Sequence, residues 1–178
     1  MVQTHDPMTA PVIPSSPTYN LHRFVPTHLI TPFEPPAIVL DTNVVLDWLL
    51  FRNPACDPLI AALVAGDVRW IASTAMRDEL AHVLARGTLG KWQPDLGVLW
   101  ARWDQHCNEV PAAPCLGPPA ALRCSDPDDQ KFIDLAVACK AHWLLSHDHA
   151  VQRLARRLRD RGVTVTTPAA WLFPKAIV

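Results

Sequence analysis

Four carboxylates stand where the apolar pattern would draw them towards one place. Asp41 directly follows Ala-Ile-Val-Leu at 37–40, and Asp148 lies just beyond Trp-Leu-Leu-Ser at 143–146. An acid in such a position often only caps the next helix or sits in a turn. It also marks the carboxyl end of a strand, where open α/β sheets bind their ligands. With about 100° of rotation per residue, Met76, Leu80, Val83 and Leu84 form one helical stripe, with Glu79 on its buried edge and Asp78 opposite. In a later helix Phe132, Ile133 and Ala136 share a face with Asp129. Gln130, Lys131 and Asp134 fall on the other side, and Asp128 lies near the edge of the apolar sector. Glu79 and Asp129 thus read as inward-facing acids at or near helix N-termini, where the backbone dipole favours anions.

One inward acid is as readily explained by a salt bridge or by loop amides as by a site. Four together are harder to explain that way. Two carboxylates about 4 Å apart repel by about 4 kcal/mol at an effective dielectric of 20. Few basic residues fall on the inward faces, so a hard divalent cation with oxygen ligands is the natural counter-charge.

The elements that must position these acids follow from the same pattern. Short apolar runs alternate with helical stretches, the signature of an α/β fold with a central parallel sheet flanked by helices. Strands are expected at Ala37–Leu40, Val68–Ala72, Trp143–Leu145 and Val163–Thr166. Helices are expected over Asn43–Phe51, Asp57–Ala65 (closed by Gly66), Leu96–Cys107, Asp128–Lys140 and Ala150–Arg159. A further helix, capped by Thr74, runs to Arg86, and Thr167-Pro168 opens a short terminal one. Pro111–Pro119, with four prolines, is expected to be loop. Residues 1–36 hold eight of the 18 prolines and read as an extended arm preceding one domain over 37–178.

Composition narrows the class. A chain of 178 residues with 49% hydrophobic and 19% charged residues buries a real core. No apolar run approaches the ~20 residues of a membrane span, so no membrane partner is expected. The formal net charge of −1 means that a polyanion would be attracted only by a local patch or by bound cations. Five cysteines without framework spacing, and an N-terminus with no secretory pattern, point to a reducing cytoplasm.

The segments IVLDTNVVLD at 38–47, MRDELAHVLARG at 76–87, DPDDQKFIDLAVACKAHWLLSHDHAV at 126–151 and VTVTTPAAWL at 163–172 resemble the PIN-domain ribonucleases. The resemblance is greatest to the VapC-like toxin subunits of bacterial toxin–antitoxin pairs. It covers about residue 37 to the C-terminus and leaves the arm outside. It implies a single PIN-like domain and a metal-dependent endoribonuclease acting as a toxin. Asp41, Glu79, Asp129 and Asp148 would be its catalytic and metal-binding residues, with Asp128 and Asp126 as neighbouring alternatives for the third acid. Mg²⁺ or Mn²⁺ would be the cofactor. RNA would be the substrate, and an antitoxin protein and a second copy of the chain (a homodimer) the protein partners. Lys140 stands where the family usually has glycine. Two other readings fit the same residues: a non-catalytic module of this fold that binds RNA or protein, and a DNA nuclease of the same chemistry.

Other signals are weaker. Ser146-His147-Asp148 holds the residue types of a hydrolytic triad, but triad members converge from separate segments. His142, His147 and His149 match no metal-binding spacing, and no Gly-rich phosphate loop occurs among the six glycines. Arg153, Arg156 and Arg157 share a helix face, readable as a solvated surface, an RNA phosphate track or a dock for an acidic partner. Trp100 and Trp103 at i, i+3 fit the core better than a stacking platform.

Overall fold

The computed structural model of the chain describes residues 34–87, 89, 92, 95–111 and 122–173. The expected arm, up to residue 33, and the expected loop beyond Pro111 lie outside the described residues.

Five strands form one parallel sheet in the order β3-β2-β1-β4-β5. They are β1 Ala37–Leu40, β2 Arg69–Ser73, β3 Cys107–Val110, β4 Trp143–Leu145 and β5 Thr164–Thr166. β1 is fully buried, as four consecutive apolar residues require when both faces of a parallel sheet are covered. Glu34–Pro36 lead into it and are tied to the start of β2. The Arg69 backbone N–H donates to the Pro36 carbonyl (3.1 Å), its Nε donates to the Pro35 carbonyl (3.1 Å), and its guanidinium pairs with Glu34 at 3.2 Å.

The connections are helical. α1 (Thr42–Leu46) runs into a π-helical turn over Asp47–Phe51; α2 is Asp57–Ala65, α3 Thr74–Ala85, α4 Leu96–His106 and α5 Gln130–Ala138. α6 is His149–Gln152 and α7 Ala155–Arg159. α5 packs on β1, β4 and α3, which brings the inward faces of α3 and α5 together beside the central strands. Trp70 of β2 is fully buried and stacks edge-on against Trp48 and Trp103, with centroids 5.6 and 4.6 Å apart. Trp103 is core, as expected, while Trp100 is half-buried under the Arg77 guanidinium.

Several expectations need correction. β3 is an addition to the expected strands, because Cys-Asn-Glu-Val is short and half polar; it forms as an edge strand whose outer side needs no apolar cover. The N-cap of α3 is Ser73, not Thr74. The segment 149–159 is two short helices broken at Arg153–Leu154, not one. Val151, Leu154 and Leu158 are buried on either side of that break.

Helix ends explain the odd lysine. α2 and α7 are closed by Gly66 and Gly162 in the left-handed region, each followed by a residue whose N–H reaches back five positions. α5 ends the same way: Ala141 N–H donates to the Ala136 carbonyl at 2.8 Å and Lys140 N–H to the Val137 carbonyl at 3.2 Å. Here, however, the left-handed residue is Lys140, at φ 50°. An L-residue in that region costs roughly 1–2 kcal/mol, more than the chain entropy glycine adds to the unfolded state. Lys140→Gly should therefore raise the melting temperature by about 2–4 °C in a chain of this size, measured by thermal denaturation.

Candidate functional site

The site grows from the sheet's own register. Leu40 pairs with Leu145 and Leu145 with Thr166, so the residues just beyond them meet at one edge. Asp41 N–H continues the ladder to the Leu145 carbonyl at 3.0 Å, and Ser146 N–H to that of Thr166 at 3.0 Å. The chain leaves β1 towards β2 and returns through β4 on its other side, so this edge is a topological switch point, where open α/β sheets form their crevices.

Asp41 is 2% exposed and is the N-cap of α1, accepting the Val44 N–H at 2.9 Å. The Ser146 hydroxyl and the His147 backbone N–H also donate to its carboxylate. Burial nonetheless outweighs these donors and holds its pKa above the ordinary carboxylate value. Ser146 is itself fully buried and accepts the Asp148 N–H at 2.9 Å, so one hydroxyl joins Asp41 to the segment that carries Asp148. Asp148 is half-buried and caps α6 through the Ala150 N–H.

Asp129 completes the cluster from the end of a 3₁₀ turn (Pro127–Asp129) that leads into α5. Its pKa is pushed up to about 6, first by burial and then by the charges of Asp148, Asp126 and Asp41. Its Oδ2 is buried and accepts no hydrogen bond from the described residues. Asp126 caps the 3₁₀ turn through the Asp128 N–H at 2.9 Å, and Asp128 is exposed.

Glu79 is half-buried and Asp78 exposed, which supports the helix phase. Two corrections apply here. Glu79 is the sixth residue of α3, beyond the reach of the helix N-terminal dipole. Its counter-charge is Lys131, expected on the outer face, whose Nζ lies 2.6 Å from Glu79 Oε2 without an aligned hydrogen bond and also reaches the Asp128 carbonyl. The long lysine stem lets an amine rooted off the inward face bend round to it. Asp134 likewise is not a solvated surface acid. It is half-buried and accepts from Gln130, which also bonds the backbone of Leu122 and Cys124.

Asp41, Asp129 and Asp148 are therefore brought into one electrostatic unit with Asp126, and Glu79 joins through Lys131. The sequence reading missed Lys131 and Ser146; the only signals were a lysine two residues after the third acid and a serine two before the fourth. Ser146 spends its hydroxyl on Asp41, so the Ser-His-Asp tripeptide is no triad, and His147 Nε2 instead meets Asp47 Oδ2 at 2.9 Å.

Among the described residues no three His, Cys or carboxylate side chains form a ready-made metal cage. The donor set nonetheless fits a hard cation: oxygen ligands only, one Asp129 oxygen buried and accepting no hydrogen bond from the described residues, and two carboxyl groups, Asp41 and Asp129, whose charged form burial disfavours. Asp41, Asp129 and Asp148 would hold it, with Glu79 available on release from Lys131.

A PIN-domain family model matches residues 37–150. Among solved structures, the chain is similar to one in the Rickettsia felis VapBC2 complex bound to a promoter DNA fragment. The identity is 11%, the match covers 74% of this chain and 98% of that one, and the TM-score is 0.49. It is also similar to a chain of VapBC-1 from nontypeable Haemophilus influenzae, at 16% identity, 74% and 98% coverage and TM-score 0.46. A chain of FitAB bound to the IR36 DNA fragment matches at 18% identity, 78% and 99% coverage and TM-score 0.42. No curated protein sequence matches.

The raised pKa of Asp129 sets a test in metal-free protein. Its folded value lies above the ordinary 3.8, so the folded state binds this proton more tightly than the unfolded chain and stability falls as pH rises from about 4 through about 6. Asp129→Asn removes that loss. In EDTA at neutral pH it should melt about 2–4 °C above the parent, an effect of order 1 kcal/mol after solvent screening. The two should converge below about pH 4. Glu79→Gln should instead melt lower than the parent, because it strands the Lys131 charge.

Proposed function

The chain belongs to the PIN-domain family, and from that premise we propose that it is a metal-dependent endoribonuclease serving as the toxin of a toxin–antitoxin pair. The observation that carries the nuclease reading is the buried Asp129 oxygen that accepts no hydrogen bond from the described residues, in a carboxylate that feels the charges of Asp148, Asp126 and Asp41 beside the sheet's switch point. A module that only bound RNA would gain nothing from carboxylates that repel its ligand.

In this reading Asp41, Asp129 and Asp148 hold Mg²⁺ or Mn²⁺. When bound, the cation supplies Lewis acidity for the attacking water and positive charge against the phosphate. The chain's part is orientation. Val44 N–H, the Ser146 hydroxyl and His147 N–H fix the Asp41 carboxylate, Ala150 N–H fixes that of Asp148, and Lys131 holds Glu79 at the margin. The toxin role rests on the four sequence segments that resemble VapC-like proteins, and it implies an antitoxin partner and a homodimer. A reducing cytoplasm suits the free thiols of Cys56, Cys107, Cys124 and Cys139; among the described residues no helix is long and apolar enough to cross a membrane.

Purified protein should cleave single-stranded RNA with Mg²⁺ or Mn²⁺ and stop with EDTA. Asp41→Asn, nearly isosteric, should reduce cleavage to background while the protein stays folded. Asp78→Ala, on the exposed face of α3, should cleave as the parent does and change stability by no more than about 0.5 kcal/mol. Cleavage by Asp41→Asn at the parental rate would remove the assignment, and cleavage of DNA with RNA left intact would move the chemistry to the other nucleic acid.

A further inference from the structure

Beside the acids runs a groove of about 690 Å³ lined by Arg123, Arg153, Arg156 and Arg157, with Ser125, Ala150 and Leu154 completing its walls. That volume lies within the range of ligand-holding clefts. Among the described residues the lining carries four guanidinium groups against one carboxylate, that of Asp160 at the C-cap of α7. Arg123 comes from a part of the chain remote in sequence from the other three. It enters the groove because the segment before the 3₁₀ turn is anchored by Leu122, buried in the core, and by Gln130, which holds the Leu122 carbonyl and the Cys124 N–H. The break between α6 and α7 sets Arg153 in the turn and Arg156 and Arg157 on the next helix, while Leu154 and Leu158 are buried. Arg123, Arg153 and Arg156 are exposed, and among the described residues no ion pair engages them.

The groove adjoins the segments that carry two of the acids. Ala150, in its wall, is the residue whose N–H fixes Asp148, and Ser125 immediately precedes Asp126. The acids themselves do not line it. The overall charge of −1 gives the chain no global attraction for a polyanion, so the attraction has to be local. Guanidinium groups meet phosphate oxygens in a bidentate fork, and a file of them suits a chain of phosphates better than one small anion.

We propose that this groove is the binding track for the phosphate backbone of single-stranded RNA flanking the bond held at the carboxylates. The proposal rests on the nuclease reading for its direction, but the binding it describes does not depend on cleavage. An acidic protein segment is the competing occupant. The nuclease reading favours RNA: Ala150 in the groove wall lies two residues from Asp148, so a strand laid along the arginines would run on to the carboxylates at which its phosphodiester would be held, whereas a peptide would have no reason to continue there.

The test uses full-length protein carrying Asp41→Asn, so that RNA stays intact, and a fluorescently labelled single-stranded oligoribonucleotide of mixed sequence. Binding is followed by anisotropy at fixed Mg²⁺ over a series of monovalent salt concentrations. Adding Arg123→Gln, Arg153→Gln and Arg156→Gln together should weaken binding by about tenfold or more near physiological salt. The log–log salt slope should fall by about 2, since each phosphate that an arginine neutralises on a single strand accounts for about 0.7. A control with Arg159→Gln and Arg161→Gln, exposed arginines outside the groove, should keep the slope. A triple variant that matches the control overturns the proposal. So does one that keeps its RNA affinity and loses affinity for poly-glutamate, which would make the groove a protein dock. Absence of cleavage in the parent together with the expected loss of slope would defeat the nuclease reading and leave the groove standing.

Discussion

Three carboxylates held at one edge of a sheet repel one another, and the rest of the molecule is arranged around that repulsion. The parallel register of β1 and β4 forces the first contact, since Asp41 and Ser146 follow the paired residues Leu40 and Leu145. Burial makes the charge on Asp41 costly, and three donors offset part of that cost. Asp129 is less well compensated: burial and the charges of Asp148, Asp126 and Asp41 raise its pKa against the opposing charge of Lys131, and its Oδ2 accepts no hydrogen bond from the described residues.

Lys131 shows how the fold handles the same problem at the margin. Its amine neutralises Glu79 and bonds the Asp128 carbonyl, binding α3 to the start of α5. In the proposed reading the lysine and a divalent cation would be alternative counter-charges for the same carboxylate, so a metal would meet Glu79 as a paired group. Among the described residues Asp41, Asp129 and Asp148 form no ion pair, which would leave them freer to take a metal.

Positive charge is gathered opposite the buried stripe of the 149–159 segment. Val151, Leu154 and Leu158, at i, i+3 and i+7, share one face and are buried, which leaves Arg153 and Arg156 exposed beside Arg123. At the end of α5 a similar balance holds Lys140 in a conformation that suits glycine, because the back-bonds to Val137 and Ala136 and the buried Ala141 require the chain to turn there.

The α/β class, four of the five strands and the inward phase of Glu79 against Asp78 were all legible in the residues, because periodicity and burial are local properties that a helix or strand must obey. Asp41, Asp129 and Asp148 could be named for the same reason, since their positions relative to apolar runs fix which way they point. The tertiary structure alone decided β3, an edge strand whose polar residues give no burial signal. It alone brought Lys131 to Glu79, since a flexible four-carbon stem escapes any helical-wheel argument, and it alone gave Ser146 its two partners from different segments. It also placed Arg123 beside Arg153 and Arg156. Contacts between residues far apart along the chain depend on how whole elements dock, and no spacing in the sequence encodes that.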